Sequence, residues 1–415
     1  MDFCQQYTEF FKAQGRNSAE HAKHYLSGLL SETLDKNMER LEENIAGSNY
    51  EAMQHFISSS SWDEGALLKQ LACDVDGLLG GDPHTALLID ETCFAKQGKH
   101  SVGVQRQWNG NLGKVDNCQC GVFAALALEK RASLIGFELY LPKGWVDDEQ
   151  RCDKAKVPAQ RRVFQSKIDL ALGLVQQAMA NAVRFTWVSA DGFYGNSREF
   201  RDRLEDWGLN YVCDVKKSLT VCFQGQEQSV EHLALKEFAL HSQRIALRPG
   251  TKGMLRCQCA CLQVEINTRK ATLIISKDNT GRFKYTLTNA SGTSADQVYR
   301  QHQRYWIEDS FKRSKSNLGM ADYQVRTWTG WYHHMALICL AQFFVVRQEV
   351  LFADSMPLLS PTDIVALLDY FLPRKQLNFE DVCQAILKRH QKRFRDIEWS
   401  YFKDNRPIPE RYLPK

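Results

Sequence analysis

The sequence predicts an α/β protein: a mixed sheet at the centre, a β-rich insertion in its second half and a helical amino-terminal region. Three observations predict it. The runs Thr85-Ala-Leu-Leu-Ile-Asp90 and Phe185-Thr-Trp-Val-Ser-Ala-Asp191 are short, largely apolar and closed by an aspartate, as buried strands with a carboxylate at the carboxyl end are. Between residues 211 and 296 the pattern turns to β-branched or alternating runs separated by glycine and polar turns. In Arg304-Tyr-Trp-Ile-Glu-Asp-Ser-Phe-Lys-Arg-Ser-Lys315, residues Trp306, Ile307 and Phe311, and then Leu318, recur at near-helical spacing. That spacing predicts an amphipathic helix packed on something large.

Residues 1–80 read as a helical domain, joined to the core by the turn-rich stretch Gly77-Leu-Leu-Gly-Gly-Asp-Pro83. Within it, Asn37-Met-Glu-Arg-Leu-Glu-Glu-Asn-Ile-Ala46 and Tyr50-Glu-Ala-Met-Gln-His-Phe-Ile57 flank Gly47-Ser-Asn, two short helices across a glycine turn. A helix-turn-helix fits this pattern, with Ser48, Asn49, Gln54 and His55 facing nucleic acid. An ordinary helical hairpin fits it equally, because the segment has few lysines or arginines for phosphate contact.

Residues 81–212 form the first part of the core: the strand to Asp90, the basic loop Lys96-Gln-Gly-Lys-His100, and a hairpin of Gln119-Cys-Gly-Val-Phe-Ala-Ala-Leu-Ala-Leu128 with Leu134-Ile-Gly-Phe-Glu-Leu-Tyr-Leu141. A helix over 164–182, with Ile168, Leu172 and Val175 on one side, leads to the Asp191 strand and a turn at Gly192-Phe-Tyr-Gly195. Residues 213–295 are the β-rich insertion, made locally basic by Arg244, Arg248, Lys252 and Arg256. The core resumes over 296–350 with the glutamate helix and an apolar helix over 336–346. Residues 351–415 hold proline breaks and the basic stretch Ile386-Leu-Lys-Arg-His-Gln-Lys-Arg-Phe-Arg395, which suits DNA contact, self-association or a solvated face.

Composition narrows the function classes. A chain of 415 residues can hold two to four units around a sizeable core, and a net charge of only +4 means that nucleic-acid contact has to come from local basic patches. The thirteen cysteines are scattered with no repeated Cys-x-x-Cys pair, which argues against a disulfide scaffold and a zinc ribbon. Cys257-Gln-Cys-Ala-Cys261 places three thiols on one strand face, a core face ahead of a metal site. Neither a signal segment nor a long apolar run stands out, so a cytoplasmic protein without a membrane partner is expected.

The chemistry gathers on three acids. Arg304 and Glu308 are one helical turn apart and Lys312 and Lys315 follow, so a carboxylate flanked by cations sits on a rigid helix. Alone this is often a salt-bridged surface. With Asp90 and Asp191 it becomes an oxygen donor set of the kind used for two-metal phosphoryl transfer. Further on, Arg326 and His333 are interleaved with Tyr323, Trp328 and Trp331, which suits phosphate contact with base stacking or, at helical spacing, core packing.

Taken together, Leu88-Ile-Asp-Glu-Thr92, Lys96-Gln-Gly-Lys-His-Ser-Val-Gly103, Gly113-Lys-Val-Asp-Asn-Cys-Gln119, Ala190-Asp-Gly-Phe-Tyr-Gly-Asn196 and the run over 306–326 resemble the DDE transposases of bacterial insertion sequences, whose core is ribonuclease H-like. In one branch the glutamate helix carries Arg four residues before the Glu and Lys seven after it, here Arg304, Glu308 and Lys315. The tyrosine that branch has three residues before the Arg is here Gln301, with Tyr299 or Tyr305 as substitutes.

The resemblance implies that Asp90, Asp191 and Glu308 are catalytic and hold two Mg²⁺ ions, which Mn²⁺ can replace. It implies phosphate contacts from Arg304 and Lys315, to which the local charge pattern adds Lys312 and Arg326, and Gln54 and His55 if the amino-terminal helices are a helix-turn-helix, as the relatives' repeat-binding domain favours. It further implies a homodimer that binds terminal inverted repeats and joins them to target DNA in the bacterial cytoplasm, at the nucleoid. Two other readings stay open: a DNA-binding regulator that keeps the fold, and a structure-selective nuclease that cuts without joining.

Overall fold

The computed structural model describes residues 2–412 except 14–15, 111, 251–252, 279, 404 and 410–411. The amino-terminal region is built from α1 (Ala19–Leu29), α2 (Met38–Asn44), α3 (Tyr50–Ser58) and α4 (Glu64–Leu79), preceded by a minimal hairpin of Lys12–Ala13 with Arg16–Asn17. Asn37, Asn49 and Asp63 start three of these helices, each side chain accepting a first-turn amide that has no partner within its helix. α4 runs through Gly77-Leu-Leu79, further than the turn-rich composition predicts, because Val75 and Leu79 continue its buried face.

The central sheet begins with β1 (Ala86–Ala95), β2 (Gln105–Asn109), β3 (Lys114–Leu128), β4 (Arg131–Leu139), β5 (Trp187–Ala190) and β6 (Asn210–Asp214). β4, β3 and β1 pair antiparallel, and β1, β5 and β6 pair parallel, in the ribonuclease H-like order β4-β3-β1-β5-β6. The crossovers carry α5 (Lys167–Ala180) and α6 (Arg198–Asp206). Strands covered on both faces read as unbroken apolar runs, which is why β1 and β5 were legible. β2, half exposed and polar, was not anticipated.

The insertion holds β7 (Thr220–Phe223), β8 (Gln226–Ser229), α7 (Val230–His241), β9 (Gln243–Gly250), β10 (Gly253–Ile266), β11 (Arg269–Lys277) and β12 (Phe283–Thr288). β12 pairs with β6, so these strands extend the same sheet, in the order β8-β7-β10-β11-β12-β6-β5-β1-β3-β2 with β9 on β10 and β4 on β3. Cys257 and Cys259 are buried with Ile274 and Val298, the core face expected of that alternating run.

The chain closes with α8 (Ser294–Gln303), α9 (Tyr305–Asn317), α10 (Trp328–Leu351), α11 (Pro361–Asp369) and α12 (Phe379–Lys403). α10 is long and apolar enough to cross a membrane by composition, yet most of it is buried against β4, α4 and α3, as a core helix is. Tyr323, Trp328 and Trp331 are buried there, so packing, not base stacking, is their role. His333 is also interior, stacked on Trp62 at 3.9 Å.

A disulfide joins Cys93 to Cys120 across β1 and β3. Sheet register places these two opposite each other, which spacing along the chain does not reveal.

Candidate active site

Register decides which acids meet. The last parallel pairs are Ile89 with Ala190 and Ala190 with Cys213. Asp90, Asp191 and Asp214 therefore occupy the next position on three adjacent strands, with backbones about 4.8 Å apart from one strand to the next. Asp191 also starts a one-turn helix, Gly192–Gly195, by accepting the Phe193 amide at 2.8 Å.

Glu308 comes to this row on the first turn of α9. The helix is fixed to the sheet by Ile307 and Phe311, and the Phe311 ring meets the Phe123 ring at 5.3 Å. Phe123 is the register partner of Asp90, so the contact that seats the helix lies beside the acid it serves. Arg304, at the junction of α8 and α9, connects the row to the helix. Its Nη1 lies 2.6 Å from Glu308 Oε1 and 3.6 Å from Asp90 Oδ2, so those oxygens are at most 6.2 Å apart, the sum of the two. Its Nε donates to Asp214 Oδ2 at 2.8 Å.

Burial first, and then the charge of Asp191, push the Asp90 carboxyl well above its usual range, against the pull of Arg304. Burial and Glu91 push Asp191 up as well. Burial works against the Arg304 charge, but Asp214, Glu308, Asp90 and Asp191 outweigh it and hold the guanidinium more firmly protonated than usual. Acids that resist ionising together are stabilised most by an added positive charge.

Around this centre lie groups the sequence reading did not single out. Glu91 accepts from Lys167 Nζ at 2.9 Å and Tyr194 Oη at 2.6 Å. Lys284 on β12 lies 3.2 Å from Asp214. Asp214 had a legible signal, since Tyr211-Val-Cys-Asp214 repeats the apolar run closed by aspartate. Lys284 had none, because only strand pairing brings it in.

Tyr299 and Tyr305, the substitutes considered for the tyrosine of the resembling branch, have separate surroundings. Tyr299 packs on His84 ahead of β1, and Tyr305 is half exposed against Trp306. Gln301 instead donates to Thr286 Oγ1 at 2.8 Å.

A family model described as DDE superfamily endonuclease matches residues 9–233, more than half of the chain. This chain belongs to the DDE endonuclease superfamily. The match spans Asp90 and Asp191 and ends before Glu308. The chain is also similar to a protein described as a probable transposase for insertion sequence element IS701 from Microchaete diplosiphon, with 26% identity over 339 residues, 78% of this chain and 81% of that protein. The resemblance to DDE transposases drawn from the sequence is borne out.

The basic residues proposed for this DDE endonuclease fall in different places. Lys315 does not touch the acids: its Nζ donates to Thr92 Oγ1 at 2.7 Å and to the Cys93 carbonyl at 3.3 Å. Lys312 is exposed on α9 one turn beyond Glu308. Gln54 and Arg326, far apart in sequence, line one cleft of about 760 Å³ with Lys36, Lys96, His100 and Tyr50, and none of its lining residues is acidic. Lys96 follows β1 directly, about 20 Å along the strand from Asp90. His55 is exposed but is not among those lining residues.

Two of the four helix-turn-helix candidates are used internally. The buried Ser48 hydroxyl donates to the Ile45 carbonyl at 2.6 Å, and Asn49 caps α3. In the insertion, Arg244 and Arg256 line a recess of about 380 Å³ with Lys277 and Asp278, while Lys252 lies outside the described residues. The basic carboxy-terminal stretch is partly engaged, with Arg389 and Lys392 on α12 paired to Glu43 and Glu39 of α2.

Lys315 offers a pH test. Burial lowers its ammonium from the ordinary 10.5 to about 8, so its charge is present below that pH and is lost as pH rises through it. Wild-type affinity for a DNA end, measured by fluorescence anisotropy, is expected to fall about fivefold more between pH 7 and pH 9 than that of Lys315→Met. Parallel curves for the two proteins would show that this ammonium meets no phosphate.

Proposed function

We propose that this chain is a DNA transposase that binds the terminal inverted repeats of an insertion sequence and cleaves and transfers strands through Asp90, Asp191 and Glu308. One observation carries the reading: adjacent strand ends put Asp90 beside Asp191, and one arginine nitrogen spans Asp90 and Glu308. Members of the superfamily generally use divalent metal ions, and the donor set here fits them. The acids offer only carboxylate oxygens, which hard cations favour, and two of them already converge on one positive charge.

Asp90, Asp191 and Glu308 would hold two Mg²⁺ ions, with Mn²⁺ as a substitute. Bound there, such ions lower the pKa of a water or 3′-hydroxyl nucleophile and stabilise the leaving oxygen. Arg304 balances the acids among themselves, Lys315 and Lys312 carry positive charge along the same helix, and the acid-free cleft with Gln54 and Arg326 takes the flanking duplex.

Assembly as a homodimer on DNA is supported by α12. Arg389 and Lys392 bind α2, and Phe379, Val382 and Ile386 stay exposed along the adjoining side of the same helix, an apolar strip next to that contact.

The test is purified protein with Mg²⁺, a duplex ending in the inverted repeat that flanks the gene, and a target plasmid. Cleavage at the repeat and a joined product are expected. Cutting without joining would assign the chain to the nucleases, and binding without cutting to the regulators.

A further inference from the structure

We propose that Asp214 is a positioning residue that aims Arg304 into the acid cluster, and that Thr286 and Gln301 hold Asp214 in place. The inference rests on the reading of Asp90, Asp191 and Glu308 as the reaction centre and adds to it a line of residues that no strand-end pattern distinguishes.

Asp214 shares the local sequence pattern of Asp90 and Asp191, yet its carboxylate is spent differently. Oδ1 accepts the Thr286 hydroxyl at 2.6 Å, and Oδ2 accepts Arg304 Nε at 2.8 Å with Lys284 Nζ at 3.2 Å. Both oxygens are thus committed to the protein, two cations sharing one of them. Asp191 carries no ion pair among the described residues, and Asp90 only the longer one to Arg304.

The guanidinium is a rigid plane, so fixing Nε on Asp214 sets the direction in which Nη1 points. Here that direction is onto Glu308 and Asp90. Both partners are largely enclosed, with side-chain exposures of 17% for Arg304 and 15% for Asp214, so solvent screens the pair little.

The line continues inward. Thr286 sits on β12 opposite Asp214 in register, and its hydroxyl accepts from Gln301 Nε2 at 2.8 Å while donating to Asp214. Gln301 is buried one turn before Arg304 on the same stretch of chain. The residue standing where the resembling branch has a tyrosine therefore supports the arginine from behind.

The experiment is a double-mutant cycle on divalent-dependent cleavage of a DNA end. Asp214→Ala is expected to slow cleavage about a hundredfold while DNA-end affinity changes less than about twofold. In an Arg304→Ala background, adding Asp214→Ala is expected to cost less than about twofold more, because its effect runs through the arginine.

A second readout does not depend on turnover: NMR of the arginine Nε–H groups. The Arg304 signal is expected to be protected from solvent exchange in the wild type and to exchange freely in Asp214→Leu, a variant of similar size that has no acceptor and serves if Asp214→Ala does not fold. Wild-type cleavage by Asp214→Ala, additive losses, or a protected Arg304 signal in Asp214→Leu would each overturn the proposal. Asp90→Asn run alongside separates the two levels: cleavage surviving there overturns the reaction centre itself, whereas its loss beside an active Asp214→Ala overturns only the positioning line.

Discussion

Asp191→Asn and Glu308→Gln are each expected to reduce divalent-dependent cleavage of a DNA end at least about a thousandfold, with end binding changed less than about twofold. Both substitutions keep shape and remove charge. Asn at 191 retains an oxygen for the Phe193 amide, so the one-turn helix after β5 still forms. Glu308 is half exposed, with 47% of its side chain accessible, and the enclosed Arg304 keeps Asp214 as its charge partner when a neutral amide replaces it. What is lost is the negative charge that would hold a divalent ion on this face of the sheet. Single-turnover cleavage and anisotropy on the same duplex measure the two quantities. Cleavage persisting in either variant would remove that residue from the reaction centre.

Gly195→Ala is expected to be nearly as damaging by a purely steric route. A Cβ at this position would collide with the Asp214 carbonyl oxygen and come 2.9 Å from Cys213 Cβ. A backbone oxygen in a paired strand cannot rotate away, so the end of β6 has to shift. The expected cost is about 3 kcal/mol of stability, read by denaturant unfolding. Moving β6 also moves Asp214, and with it Arg304, so cleavage by the folded variant is expected to fall about a hundredfold.

Gly192→Ala is the control. Its Cβ would meet Asn196 Nδ2 at 3.6 Å and the Asp214 oxygen at 3.9 Å, ordinary contact distances, and this variant should be close to wild type. Equal cleavage by the two alanine variants would show that the β6 end does not set the site.

How far a residue could be read from the sequence depended on whether its role is local. Asp90 and Asp191 were legible because a strand buried on both faces writes itself as an apolar run, and a charge at its end has to face out. Glu308 was legible because Ile307 and Phe311 mark the buried side of a helix, and the acid falls beside them. Residues whose role depends on a distant partner were misread or missed. Ser48 is the exception, a local misreading, since its hydroxyl donates to the carbonyl of Ile45 only three residues back. Arg326 and Gln54 were proposed separately, and only the packing of α3 near the loop before α10 puts them in one cleft.

By itself the sequence determined the α/β class, the ribonuclease H-like order of elements, membership of the DDE superfamily and the three acids worth testing. The class and the order of elements follow from periodicity, and the superfamily and the choice of acids from the resemblance of short words to the DDE transposases. Only the tertiary structure decided that Asp214, Lys284 and Gln301 belong to the same neighbourhood, that Cys93 faces Cys120, and that Arg304 faces carboxylates before any phosphate. The physical reason is register. Pairing distant strands sets which side chains lie side by side, and that choice is made by the burial of whole faces, not by the residues on either side of any one position.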